Sequence, residues 1–234
     1  MLSELDTNKD IRADFHIHTN HSHDSRLNPR SLVKLCERRN INLIAITDHN
    51  TINGALETRD LASFEVIIGE EILSSDGEII GLYLEKPITK HLSARETINQ
   101  IKDQGGIVQI PHPFDRFRNN HIDIKSLIEI LPDVDIFEVF NARTTLNQDI
   151  RKSVQFFQKH QEQHNLRRIG VTDTHNSYEI GKTYNILPSF NDQTQLLDAL
   201  NHNQIIGKKT TPFIHFETRY SVLHKKIIKK IKPT

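Results

Sequence analysis

The chain of 234 residues contains no tryptophan, one cysteine and one methionine, and aromatic residues make up only 6% of it. A lone thiol, Cys36, forms no disulfide within the chain and excludes a thiolate metal cluster. The setting expected from such cysteine usage is reducing, hence cytoplasmic. No apolar run is long enough to cross a bilayer, so no membrane span is expected. The opening stretch MLSELDTNKD is polar and lacks the apolar centre of a signal peptide. An excess of one charge is also missing. Thirty Lys and Arg balance thirty Asp and Glu, which argues against a dedicated nucleic-acid coat or an acidic tail. Without tryptophan the core falls to Ile, Leu, Val and Phe, and a hydrophobic share of 36% suffices for a globular fold.

What the chain has in excess is histidine, with 14 residues. The stretch ADFHIHTNHSHDS holds His16, His18, His21, His23 and Asp24. Periodicity around it reads as alternating strands and helices. Strands are expected at about 11–17, 41–46, 64–69, 77–84, 107–110, 134–140 and 167–171. Helices are expected over NPRSLVKLCERRN (Asn28 as cap, Pro29 in the first turn), INGALETRDLAS, 123–131, 147–164 and 192–202. Ser93 and Glu96 form a capping box for another, which ends at Gly105. The closing SVLHKKIIKKIKPT reads as a basic amphipathic helix. It either packs its isoleucine face down or touches a membrane or anionic partner.

Placed on this map, the acidic and imidazole groups gather just after apolar runs: FHIH, TDHN, GEE, PHPFDR, EVFNAR and TDTH. In a parallel barrel such positions converge on one rim. Residues i and i+2 of a strand face the same way, so His16 and His18 can share one ion, as can Asp173 and His175. His16, His18, Asp24, His49, Glu71, His112, Asp173 and His175 are eight candidate ligands. Imidazole plus carboxylate suits Zn2+, Mn2+ or Fe2+. About three protein ligands serve one catalytic ion, so this set suffices for two, the usual clamp of phosphoryl chemistry. Alone, an H-x-H pair says little; the ordered set carries the inference.

The motifs HIHTNHSHDS, AITDHNTING, GEEI, PHPFDR and VTDTH, in this order over roughly residues 12 to 190, resemble the PHP family of polymerase and histidinol phosphatase domains. The resemblance implies an α/β fold, a distorted (β/α)7 TIM-like barrel with a metal site at the C-terminal ends of the strands. His16 and His18 match the family's H-x-H, Asp24 its next ligand and His49 its TDH histidine. Glu71 matches the acid of its G-x-E motif, with Glu70 as a neighbour. His112 matches the PHP histidine, and Asp173 and His175 the final D-x-H. Some members carry a further histidine in the hairpin after G-x-E; here it reads GEIIGLYL. The cofactor is therefore expected to be two or three divalent ions, with two the safer number. His21 and His23 are expected to be solvated.

Arg116, Arg118 and Arg143 follow barrel strands and are candidates for gripping substrate phosphate. Asp14 and Asp48, beside ligand histidines, either orient imidazoles or stabilise loops. Cys36 belongs to the core. The whole chain, 1–234, is expected to form one barrel domain, with 191–234 completing it or forming a small appendage. The expected activity is metal-dependent hydrolysis of a small phosphomonoester, such as a nucleotide, sugar phosphate or amino-alcohol phosphate, by a metal-activated hydroxide. A phosphodiesterase or 3′–5′ exonuclease would use the same ions, with nucleic acid only as substrate. It should add basic and aromatic residues, but aromatics are 6%, positive charge is not concentrated near the motifs, and only the lysine-rich tail points that way. A non-catalytic, metal-stabilised binding scaffold is the third reading.

Overall fold

The computed structural model describes residues 10–211 and 214–231. The polar start of the chain (1–9) and the last three residues of the lysine-rich tail lie outside the described residues. Nine strands share one sheet in the order β7-β6-β5-β4-β3-β2-β1-β8-β9. β1 (Ile11–Ile17), β2 (Leu43–Ile46) and β3 (Glu65–Ser74) run parallel, as do β5 (Ile107–Ile110), β6 (Ile136–Asn141) and β7 (Arg167–Val171). Between these blocks β4 (Gly77–Leu82) is antiparallel to both neighbours. No helix separates β3 from β4, and the two form a hairpin, as the strand expected at 77–84 after the SSDG turn requires. The hairpin is the tightest turn in the sheet. Gly77 sits at φ +132°, and a Cβ there would lie 2.4 Å from the Ile122 Cα, so only glycine fits.

The helices cover the sheet as their apolar periodicity requires. α1 (Pro29–Arg38) starts where Asn28 accepts a hydrogen bond from the Arg30 N–H, and buries Leu32, Val33 and Cys36. α2 (Asn53–Leu61) follows β2. α3 (Ala94–Lys102) begins with the expected capping box of Ser93 and Glu96. α4 (Ile124–Ile130), α5 (Asn147–His164) and α6 (Gln193–Leu200) complete the layer. The barrel interior is packed by Phe15, Leu43, Ile67, Ile80, Ile136 and Ile169.

Closure of the barrel depends on two strands that the periodicity did not reveal, β8 (Thr183–Leu187) and β9 (Gln204–Gly207). β8 pairs antiparallel with the start of β1, at Ile11–Ala13. The far end of β1 instead meets the chain just after β7, through an Ile17–Thr174 bridge. Asn185 stands where β1 divides. Its Nδ2 donates to the carbonyls of Ala13 (3.2 Å) and Gly170 (2.8 Å), and its Oδ1 accepts from the Gly170 N–H at 3.0 Å. Asp14 also belongs to this seam, accepting from the N–H and hydroxyl of Thr172.

α7 (Ile214–Ile231) is longer than the tail motif suggested. It buries Ile214 and Ser221, while Leu223 and Ile227 are exposed. Polar contacts fasten it. The Lys225 ammonium donates to the carbonyl of Asn20 at 2.7 Å and to that of Ser22, and Thr218 Oγ1 accepts from Arg143 at 2.5 Å. Among the described residues no helix is long and apolar enough to cross a membrane.

Candidate metal centre

Parallel strands deliver their C-terminal ends to one rim, and the eight expected residues meet there. His16 and His18 close β1, with Nε2 atoms 3.0 Å apart. Glu71 Oε2 lies 3.3 Å from the first and 3.2 Å from the second. Glu71 Oε1 is 3.0 Å from His112 Nε2, and Glu71 Oε2 is 3.3 Å from His49 Nδ1. On the other side of His18, Asp24 Oδ2 is 2.8 Å from His175 Nε2 and 3.4 Å from His49 Nε2. Asp173 Oδ1 is 3.5 Å from His18 Nε2 and 3.7 Å from His16 Nε2. Four overlapping groups of donor atoms result: His18–Asp24–His49–His175, His16–Glu71–His112, His16–His18–Asp173 and His49–Glu71–Glu78.

Local structure accounts for each placement. The loop after β2 keeps pairing with β3, since the Asn50 N–H donates to the Glu71 carbonyl (3.0 Å) and the Glu71 N–H to that of Asp48 (3.2 Å). Asp48 accepts from the N–H and the hydroxyl of Thr19, both at 2.6 Å, and so ties this loop to the one after β1. Gly54 packs on that tie: a Cβ there would lie 1.9 Å from Asp48 Oδ2. His112 and Asp173 have φ of +29° and +55°, backbone conformations that non-glycine residues rarely take and that concentrate at functional sites.

The electrostatics ask for cations. Glu138 accepts from His16 Nδ1 at 2.7 Å, which leaves Nε2 turned towards His18 and Glu71. Asp173 Oδ1 is buried with no hydrogen-bond partner. Burial opposes ionisation of Asp24, but His175 and His49 outweigh it and hold the carboxyl well below its usual range. Burial likewise opposes ionisation of Glu71, which His49 and His16 overcome, and of Asp173, which Arg118 and His16 overcome. Burial and Arg143 push His175 down to about 3, leaving a neutral imidazole. The donor set is hard carboxylate with imidazole, and its orphaned oxygen faces the ring nitrogens of His16 and His18. These residues fit divalent ions.

Two acidic residues join the centre that strand-end reasoning missed. Glu78 is on β4, 4% exposed, with Oε1 3.6 Å from His49 Nδ1 and Oε2 3.7 Å from His112 Nε2. It occupies the hairpin where no histidine was found, and its signal was that position. Glu138, within EVFNAR, bonds His16, the His112 N–H (2.8 Å), Gln109 (2.9 Å) and Asn141 (3.0 Å). It holds the imidazole orientation expected of Asp14 and Asp48, whose side chains bond threonines instead.

The three arginines separate. Arg118 reaches the centre and pairs with Asp173 Oδ2. Arg143 is buried, donating to the Asp173 carbonyl at 3.3 Å and lying 3.6 Å from Glu179. Arg116 is not brought to the centre. Asp149, buried at the start of α5, captures its guanidinium at 2.8–3.1 Å. His21 pairs with Glu57 at 2.6 Å on the surface, whereas His23 lies against the His49 ring, with centroids 4.9 Å apart. A cleft of about 570 Å3 opens beside His175.

The family model for the PHP domain matches residues 14–122. An uncharacterized protein of Methanocaldococcus jannaschii is 42% identical over 147 residues, which cover 56% of this chain and 82% of the relative. A proposed metal-dependent phosphoesterase from Bifidobacterium adolescentis superimposes with a TM-score of 0.57 at 15% identity, over 81% of this chain and 95% of that one. An amidohydrolase from Chromobacterium violaceum, solved with sulfate and without metal, gives a TM-score of 0.58 at 17% identity, over 80% of this chain and 96% of that one. With the motifs in order, the strand-end centre assembled and these likenesses in sequence and fold, the chain belongs to the PHP domain family.

Proposed function

We propose that this protein is a metal-dependent phosphoesterase that hydrolyses a small phosphomonoester in the cytoplasm. One observation carries the reading: buried carboxylates and imidazoles bring their ligand atoms together, with two arginines at Asp173. His16, His18, Asp24, His49, Glu71, His112, Asp173 and His175 would hold two ions, Mn2+, Zn2+ or Fe2+, and Glu78 offers the carboxylate for a further corner. Bound there, the ions supply Lewis acidity, which acidifies water and stabilises charge on the phosphoryl oxygens.

The chain's own residues do the rest. Glu138 keeps the His16 proton on Nδ1. The Asp173 carbonyl accepts from His175 Nδ1 at 2.8 Å, so its Nε2 is the free donor atom. Arg118 faces the centre with a part-buried guanidinium, suited to a phosphoryl oxygen as well as to Asp173. Arg143 is a positioning residue, since its contacts are the Asp173 backbone, Glu179 and α7. In the net reaction a water oxygen bonds to phosphorus, the phosphorus–alkoxide bond breaks, and the proton lost by water ends on the alcohol.

The test is phosphate release from nucleotides, sugar phosphates, amino-alcohol phosphates and short oligonucleotides, with Mn2+ or Zn2+ and a chelator control. Chelator-sensitive release from a monoester is expected, with a loss of at least a hundredfold in His16→Ala. Cleavage of oligonucleotides alone would move the activity to a nuclease, and silence throughout would leave a metal-stabilised scaffold.

A further inference from the structure

Glu179 supplies no atom to the four ligand groups, yet it is fully buried in the turn that follows His175. Its Oε2 accepts from the N–H of His175 at 2.8 Å and from that of Asn176 at 3.2 Å. Two successive backbone donors on one carboxylate oxygen fix the course of the chain through His175. Its Oε1 is buried with no hydrogen-bond partner among the described residues, and stands 3.6 Å from Arg143 Nε, which has none either. A buried carboxylate left alone is costly, and Arg143 is the cation set against it.

Arg143 works on the same turn from the other side. Its Nη1 donates to the Asp173 carbonyl at 3.3 Å, an oxygen that also accepts from His175 Nδ1 at 2.8 Å. Its Nη2 donates to Thr218 Oγ1 of α7 at 2.5 Å. Residues 173–176 are thereby gripped through a carbonyl by the cation and through two N–H groups by the anion. The grip has strain to hold. Asp173 sits at φ +55°, and a conformation of that kind persists only where its surroundings over-determine it. The imidazole so placed points its Nε2 at Asp24, 2.8 Å away, in the corner His18–Asp24–His49–His175. Ser25, next to Asp24, brings its hydroxyl within 2.9 Å of the His175 carbonyl. The corner His16–Glu71–His112 draws no ligand from this turn.

We infer that Glu179 and Arg143 form a positioning pair for one metal subsite: they hold His175 ready for the ion at the Asp24 corner and leave the His16–Glu71–His112 corner independent of them. The inference rests on the reading of the centre as a two-ion site. Neither residue ligates the ion. Glu179 pins the backbone on which His175 is carried, and Arg143 balances that carboxylate while holding the Asp173 carbonyl. Thr218 ties the pair to α7, so the helix bears on the same subsite through the guanidinium.

The experiment titrates chelator-stripped protein with Mn2+ and counts bound ions per chain by equilibrium dialysis, in wild type, Glu179→Gln, Thr218→Val and Glu57→Gln. His112→Ala marks which ion belongs to the other corner. Glu179→Gln keeps the size of the side chain and one acceptor but removes the charge that faces Arg143. It is expected to weaken the ion of the His175 corner by about tenfold or more, as loss of a group that orients a ligand does, and to leave the other ion within about twofold. Thr218→Val removes the α7 hydrogen bond and is expected to weaken the same ion by about threefold. Glu57→Gln, at the surface beside His21, is expected to keep both ions. Equal weakening of both ions by Glu179→Gln, or no change in either, would overturn the positioning role and leave the two-ion reading standing. If Glu179→Gln does not fold, Thr218→Val decides: selective weakening supports the role, and unchanged binding overturns it. A wild type that binds neither Mn2+ nor Zn2+ would overturn the two-ion reading, and the role with it.

Discussion

Glu138 makes hydrogen bonds to the side chains of His16, Gln109 and Asn141 and to the His112 backbone, all in a buried setting. Groups that fix a ligating imidazole are typically worth about 10- to 100-fold in metal affinity. Glu138→Gln should therefore weaken Mn2+ or Zn2+ binding by about that factor in a competition titration, while the folded spectrum persists. Affinity equal to wild type would remove Glu138 from this role. Cys36 makes the opposite prediction. It is fully buried in α1, and burial pushes its thiol up to about 12. A thiol reagent at pH 8 should leave the native protein unlabelled and modify it only on unfolding. At this scale much of the centre was legible. Strand alternation put His16 and His18 on one side, and the motifs supplied the rest. Glu78 was hidden because its neighbours are apolar and its place depends on the pairing of Leu73 with Glu78 across the hairpin. Arg116 misled because Asp149, 33 residues further on, captures it.

Among the elements, the β3–β4 hairpin and the β8–β9 pair decide the architecture, and sequence period describes them unequally. β4 was expected from its apolar run, whereas β8 reads TYNIL, with Asn185 at its centre, and β9 is four residues long. A buried asparagine in a strand looks like a loop residue until its three seam contacts are seen. Asn185→Ala would strand the Gly170 N–H and carbonyl and the Ala13 carbonyl. About 3 kcal/mol should be lost in urea unfolding, given about 1–3 kcal/mol for each buried orphan and some relaxation. The contact between α2 and the Asp48–Thr19 tie gives a second test. Gly54→Ala places a methyl where Asp48 and Thr19 already stand, at 1.9 and 2.3 Å. Overpacking of this kind costs about 1–3 kcal/mol, read as a lowered melting temperature. An unchanged melting temperature would show that the loop yields freely.

For the molecule as a whole, the centre concentrates Asp24, Glu71, Glu78, Glu138 and Asp173 in a buried rim, balanced by Arg118 and Arg143. In the folded chain, burial lowers the affinity of His49 for a proton, yet Glu71 and Asp24 overcome this and raise its pKa to about 10. Such a rim takes up positive charge in whatever form is offered. A divalent ion at a hundred times its dissociation constant stabilises the native state by about 2.7 kcal/mol. Melting should therefore rise with Mn2+ or Zn2+ and fall with chelator, and indifference to both would count against the centre as a metal site.

Asn185 also sets a timetable. The seam it closes joins the first strand to residues more than 150 positions later. A chain leaving the ribosome thus exposes His16 and His18 long before Asp173, His175 and Asn185 exist. Until then β1 lacks its partners on one edge, and a nascent chain ending near residue 122 holds only part of the rim. The full rim is complete only once the last seam residue has been made. Contacts so distant in sequence are of the kind that slow folding.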